Sequence, residues 1–189
     1  MMLRSIFALL LCFALAACAN PTDRLTSLPA SPASSEAGYK LGAGDKVRLL
    51  VGGFSNLSTD YRVNDVGTIS LPMLGAIKVA GKTTTEVEQE LAALMRREEL
   101  AVNASVNVQI EEYRPFFIMG EVKRPGAYPY VPGMTVLTAI TVAGGHTFRA
   151  NTKAYGINRT ENGAIIKGKG TDDTQILPGD TVIVHEAWF

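Results

Sequence analysis

Twice in this chain of 189 residues a Gly-Asp pair stands directly before an apolar strand, once in Leu41-Gly42-Ala43-Gly44-Asp45-Lys46-Val47 and once in Leu177-Pro178-Gly179-Asp180-Thr181-Val182. Glycine reaches backbone conformations that other residues avoid, and an Asp side chain ties a turn to its own backbone. Each pair therefore launches a strand from a tight turn, and the two read as copies of one device. The length allows one domain or two small ones. Short β-like segments broken by Gly and Pro favour two β-rich units, with Asp45 and Asp180 as turn residues.

Before the first device the chain is of another kind. Arg4 precedes a twelve-residue apolar run, Ile6 to Ala17, too short to span a bilayer and shaped like a secretory signal. The run closes on Leu15-Ala16-Ala17-Cys18, which resembles the bacterial lipobox, and this implies that Cys18 becomes the lipidated first residue of the mature chain. The alternative is an ordinary signal with an incidental Cys. Once Cys12 leaves with the signal, Cys18 is the lone cysteine and has no partner for an internal disulfide. Ala19, where retained inner-membrane lipoproteins often carry Asp, implies sorting to the outer membrane. Residues 20–38 are dominated by Pro, Ser, Ala, Thr and Gly and read as a tether of roughly 24 Å. The expected division is 1–17 signal peptide, 18–38 lipidated tether, 39–112 first domain and 113–189 second domain.

Composition excludes further classes. Lys+Arg 18 balances Asp+Glu 18, with no basic run beyond Arg96-Arg97, so no nucleic-acid surface is expected. With 47% hydrophobic and 19% charged residues the chain can bury a core.

In the first unit, strands are expected over Lys46–Val51, Thr68–Leu71 and Ala76–Ala80. A helix follows in which Val87, Leu91, Leu94, Met95 and Glu98 share a stripe, with Thr83 and Glu86 as a capping box. Ser105–Ile110 then alternates as a half-buried strand. The order β-β-β-α-β describes a helix covering one side of a small sheet. The second unit repeats the grammar: strand Phe116–Gly120, turn Lys123–Gly126, strand Ala127–Val131, and a helix capped by Thr135 and closed by Gly144-Gly145. Tyr155–Arg159, Ala164–Lys167 and Thr181–His185 supply further strands, with a hairpin turn at Glu161-Asn162-Gly163. The fold class is α+β, two small β-rich domains each with a covering helix.

Residues 120–145, GEVKRPGAYPYVPGMTVLTAITVAGG, together with Leu177–Val182, closely resemble the SLBB (soluble ligand-binding β-grasp) domain of the outer-membrane polysaccharide export, or Wza-like, family. The stretches Tyr39–Asp45 and Val63–Gly75 and the helix over Glu86–Met95 resemble the polysaccharide export domain that precedes it. The pattern departs at Tyr155-Gly156-Ile157, where the family continues an apolar strand without Gly, which puts the regularity of that strand in question.

Apparent catalytic motifs fail on spacing. Gly81-Lys82-Thr83 imitates the end of a phosphate-binding loop, but Ala76 stands where its first Gly belongs, and Gly42-x-Gly44 meets Val47 at the third Gly position. His146 and His185 do not form a metal-spacing pair, so no metal or cofactor is expected. Asp172-Asp173 reads as a solvated loop. Tyr113, Tyr128, Tyr130 and Phe148 are either sugar-facing rings or core and interface residues. Arg114, Lys123, Arg124 and Arg149 either meet acidic polysaccharide or a neighbouring subunit, or form ordinary solvated surface.

The resemblance implies a lipid-anchored protein on the periplasmic face of the outer membrane. It would be no enzyme, and would assemble into a homo-oligomeric ring that conducts a capsular or extracellular polysaccharide from an inner-membrane copolymerase. The chain closes with the strand at Thr181–His185 and four residues, Glu186 to Phe189, about 6 Å of helix against a hydrocarbon layer of ~30 Å. It thus resembles the short class of the family, in which a separate outer-membrane β-barrel supplies the opening, and Trp188 and Phe189 either dock on a partner or cover their own domain. The alternatives are a monomeric periplasmic glycan-binding module and a periplasmic glycan hydrolase working with paired carboxylates.

Overall fold

The computed structural model describes residue 26, residues 38–161 and residues 163–187. The signal, Cys18, most of the tether, Asn162, Trp188 and Phe189 lie outside the described residues.

The first unit comprises β1 (Lys46–Val51), β2 (Asp60–Arg62), β3 (Thr68–Leu71), β4 (Gly75–Lys78), α1 (Thr84–Arg97) and β5 (Val106–Glu112). Strand β1 turns Val47, Leu49 and Val51 inward and lies between β2 and β5 in an antiparallel three-stranded sheet. The hairpin β3–β4 stands apart as a second, two-stranded sheet, so the single small sheet expected is in fact split. Strand β2 was not expected, because three residues are too few to show alternation. Pairing with β1 and a ladder of exposed ions, in which Lys46 and Arg48 meet Asp60 and Arg62 meets Glu112, hold it in place. The same charges carry β5 past Ile110 to Glu112, since Arg48 also meets Glu111. Strand β4 stops at Lys78, before the expected Ala80, because the amides of Val79 and Ala80 both turn to the carbonyl of Gly67. Helix α1 starts on the expected capping box and buries Val87, Leu91 and Met95; Glu98 is its C-cap and takes no part in the buried stripe.

The second unit comprises β6 (Phe116–Gly120), β7 (Gly126–Tyr128), α2 (Val136–Val142), β8 (Tyr155–Glu161), β9 (Ala164–Gly170) and β10 (Thr181–Val184). Its sheet runs β7-β6-β10-β8-β9, with β6 and β10 parallel at the centre and every other pair antiparallel. Val136, Ala139 and Ile140 of α2 press on a core that includes Phe116, Ile118, Tyr155, Ile157 and Val182. A helix laid across a mixed sheet is the β-grasp arrangement, and the chain is α+β with two β-rich units, each with its own core. Strand β7 ends at Tyr128, short of the expected Val131, because Pro129 has no amide to continue the ladder.

The Gly156 departure leaves β8 regular: all seven of its residues pair with β9. A Cβ there would meet His185 Nε2 at 3.2 Å and Ile183 Cβ at 3.4 Å, so glycine fits a crowded outer face. At Gly120 glycine is required twice over, by φ +91° and by the Val184 carbonyl oxygen 2.0 Å from where a Cβ would stand.

Candidate functional site

The two Gly-Asp devices come together at the junction of the two units, on either side of one arginine. In the first, Gly44 at φ +96° lets the chain turn, the Asp45 amide donates to the Gly42 carbonyl (3.2 Å), and the Gly42 amide donates to Asp45 Oδ2 (2.7 Å). In the second, Gly179 at φ +86° serves the same turn, with the Asp180 amide on the Leu177 carbonyl and the Leu177 amide on Asp180 Oδ2. Both were expected as turn residues and are; they are also wholly buried, at 0% and 1% exposure. A buried carboxylate is tolerable only when paired and hydrogen-bonded. The arginines that do this were not legible from spacing.

Asp180 is met by Arg159 of β8, through Nε to Oδ1 (3.0 Å) and Nη2 to Oδ2 (2.7 Å), a two-pronged pair with the arginine only 5% exposed. Asp45 is met by Arg114, whose amide donates to Oδ1 (2.8 Å) and whose Nη1 donates to Oδ2 (3.1 Å) and to the Tyr39 hydroxyl (2.8 Å). The Nε of the same side chain donates to the Pro178 carbonyl in the second device. Arg114 thus clasps the first unit to the second. It fits because both turns present glycine to it: a Cβ on Gly42 would lie 2.1 Å from Nη1, and one on Gly179 2.8 Å from Nε.

Aromatic rings continue the junction. Tyr39, Tyr113 and Tyr130 meet edge to face in a chain, at 5.1 and 5.4 Å between centroids, and the Arg114 guanidinium lies 5.6 Å from the centre of the Tyr39 ring. Burial, and then the charge of Asp45, push the Tyr39 phenol well above its ordinary value, so it stays a neutral donor to that carboxylate.

The other residues singled out from sequence scatter. Arg124 caps α2 on the Val142 carbonyl, Arg149 pairs with Glu186, and Lys123 is exposed. Tyr128 stacks on Phe116 and donates to the Arg124 carbonyl, while Phe148 stands 92% exposed. Asp172 and Asp173 stand in a turn as expected, Asp173 exposed, but Asp172 is half-buried and accepts from Tyr155, whose ring is buried, and His146 Nε2 lies 3.1 Å from the same hydroxyl. Burial and this bond raise the Tyr155 phenol, so its proton stays on Tyr155 and Nε2–H of His146 is the donor to it. Lys82, in the imitation phosphate loop, is spent on Glu90 and the Lys78 carbonyl. Among the described residues no three His, Cys, Asp or Glu side chains are grouped to hold a metal.

Beside the clasp lies an open cleft of about 900 Å³, lined by Lys40, Gly42, Lys78, Arg114, Glu161 and Pro178 among others. Asp45 and Asp180 do not line it; both are buried and paired with Arg114 and Arg159. The junction joins the two turns through one arginine.

Residues 33–111 match the family model described as polysaccharide biosynthesis/export protein, and residues 115–167 match the SLBB domain. The chain is 33% identical over 181 residues to the exopolysaccharide production protein ExoF of Rhizobium meliloti, covering 86% of this chain and 40% of that protein. It is 38% identical over 89 residues to the EPS I polysaccharide export outer membrane protein EpsA of Ralstonia solanacearum, covering 45% and 23%. It is 27% identical over 164 residues to the polysialic acid transport protein KpsD of Escherichia coli, covering 77% and 28%. The chain therefore spans less than half the length of each of these relatives.

Proposed function

Since the chain belongs to the polysaccharide export family, with the export domain and the SLBB domain in that order, we propose that it is a lipoprotein of the outer membrane's periplasmic face that helps to conduct a capsular or extracellular polysaccharide out of the cell. Cys18 carries the lipid and residues 18–38 form the leash. Two domains, 39–112 and 113–189, pack into a homo-oligomeric ring between an inner-membrane copolymerase and an outer-membrane β-barrel, and the protein catalyses nothing. The observation that carries this reading is the junction: Arg114, two glycines and three tyrosines fix one domain against the other, as a subunit needs if identical copies are to close a ring. The names of ExoF, EpsA and KpsD support the polymer as cargo.

The test is genetic and chemical. Cells lacking the chain should lose polysaccharide from their surface, and the intact chain should restore it while Cys18→Ser, which should take up no labelled palmitate, does not. Cross-linking in intact cells should give a ladder ending at one size. Normal surface polymer without the chain would overturn the export role, and a lone monomer band at native expression would overturn the ring.

A further inference from the structure

The cleft beside the clasp offers cations and little to balance them. Lys40, Lys78, Arg114 and Arg159 line it against the single carboxylate of Glu161, while neither Asp45 nor Asp180 does. Both buried ion pairs thus present their arginine to the cleft and withhold their carboxylate. Neither arginine is fully engaged. Arg114 gives Nε to the Pro178 carbonyl and Nη1 to Asp45 and Tyr39, and Arg159 gives Nε and Nη2 to Asp180 and Nη2 also to the Gln175 carbonyl. Nη2 of Arg114 and Nη1 of Arg159 meet no acceptor among the described residues. No buried side-chain nitrogen or oxygen there lacks a partner, so these two nitrogens are open to solvent, even though the Arg159 side chain is only 5% exposed.

A guanidinium edge matches a planar carboxylate, and hydrogen bonds to charged groups are stronger than neutral ones. Lys40 and Lys78 are exposed and add charge; Lys78 lends one hydrogen to the Val66 carbonyl, at 2.6 Å, and keeps two. Glycine forms much of the remaining wall, at Gly38, Gly42, Gly81, Gly163 and Gly179, so a ligand approaches the backbone itself. At about 900 Å³ the space exceeds what one ion or one side chain needs and lies in the range of pockets that enclose a small molecule. Glu161 narrows the choice further. It repels a doubly charged phosphate, yet accepts hydrogen bonds from hydroxyl groups.

We infer that the cleft takes an acidic sugar unit of a polysaccharide, its carboxylate against the open guanidinium nitrogens and Lys40, its hydroxyls on Glu161 and the glycine backbone. That the sugar comes from a polymer rests on the export reading above; the preference for a carboxylate rests on the cleft alone. A run of sugars held there touches both units at once, since Lys40 and Gly42 belong to the first and Pro178 and Gly179 to the second.

The test titrates the mature chain carrying Cys18→Ser with oligogalacturonate, and with the same oligomer methyl-esterified on its carboxyl groups. The acid form should shift the side-chain Nε–H resonances of Arg114 and Arg159 and bind at least about tenfold more tightly than the ester. Lys40→Gln should weaken it about two- to fivefold and Glu161→Gln should tighten it by about as much, with unchanged urea midpoints because both side chains are exposed. Equal binding of acid and ester would overturn the inference, as would inorganic phosphate binding as tightly as the acid oligomer. If Lys40→Gln leaves sugar binding alone and instead shortens the cross-linked ladder, the cleft belongs to a neighbouring copy and the inference falls. A chain that restores surface polymer to cells lacking it yet binds no acid oligomer refutes the cleft and leaves the export role standing. Binding as expected, in a chain whose loss leaves surface polymer normal, supports the cleft and refutes the role.

Discussion

Changing Gly42 to Ala tests the clasp without removing any of its charges. Backbone strain is not at issue, since Gly42 is absent from the left-handed positions. The new methyl carbon would stand 2.1 Å from Nη1 and 2.7 Å from Cζ of Arg114, so the guanidinium must leave, and with it the bonds from Nη1 to Asp45 and Tyr39. Swinging out a flexible side chain is sterically cheap; losing the partner of a wholly buried carboxylate is not. Arg114→Ala alone should cost about 3 kcal/mol, the lower end for a broken buried pair, because 24% of the arginine side chain is exposed and Asp45 keeps the Gly42 and residue 114 amides. Gly42→Ala alone should cost about 2–3 kcal/mol for the same lost contacts. In the double variant the methyl has nothing to strike, so the total should stay near that of Arg114→Ala, eased by the ~0.4–1 kcal/mol that alanine gains over glycine through the unfolded chain. The coupling is then about −2.4 to −4 kcal/mol. Urea unfolding of the Cys18→Ser chain, followed by circular dichroism, gives all four free energies. If the two single costs simply add, to within the ~0.5 kcal/mol typical of independent sites, the clasp is not what joins these residues and the reasoning fails.

Two further outcomes follow from the charges. Arg159→Ala should destabilise the second domain by about 3–5 kcal/mol, since Asp180 is then a buried carboxylate without its cation; a loss under 1 kcal/mol in the same urea assay would mean that the site rehydrates freely. Hydrogen bonds from Arg48, then from Lys46, hold the Asp60 carboxyl down at about 2, below its unfolded value near ~3.9, so its stabilising contribution is complete above pH ~4 and fades as pH falls toward 2. Asp60→Asn should flatten that stretch of the stability curve, and added salt should shrink the difference because the pair is exposed; an unchanged slope refutes the pairing.

What sequence disclosed and what it hid divide along physical lines. Helix α1 was legible because Thr83, Glu86, Val87, Leu91 and Met95 obey local spacing, and β1, β6 and the centre of β10 because apolar residues alternate or cluster between Gly-Asp and Gly signals. Strand β2 was hidden because its stability comes from the strand beside it and from ion pairs, and β7 is shorter than its apolar and aromatic residues suggest because Pro129 has no amide to extend the ladder. At the junction, the two turns and the rings of Tyr113 and Tyr130 were legible in the sequence, but neither the part of Tyr39 nor the purpose of the group was. Arg114 looked like any surface cation, since the partners that bury it, Asp45 and Pro178, are distant in the chain in opposite directions.

The guanidinium of Arg114 also acts as a check on completeness. Its partners are made in order: Tyr39 and Asp45 early in synthesis, Arg114 midway, and the Pro178 carbonyl only when the second device has been added. Until then the first domain's buried carboxylate faces an arginine held from one side alone, beside a surface that the β10 turn has yet to cover. A chain cut short before residue 178 thus carries its fault into a domain whose own residues are all present. A protease sampling openings at residues 39–45 would be inspecting the far end of the polypeptide from its beginning.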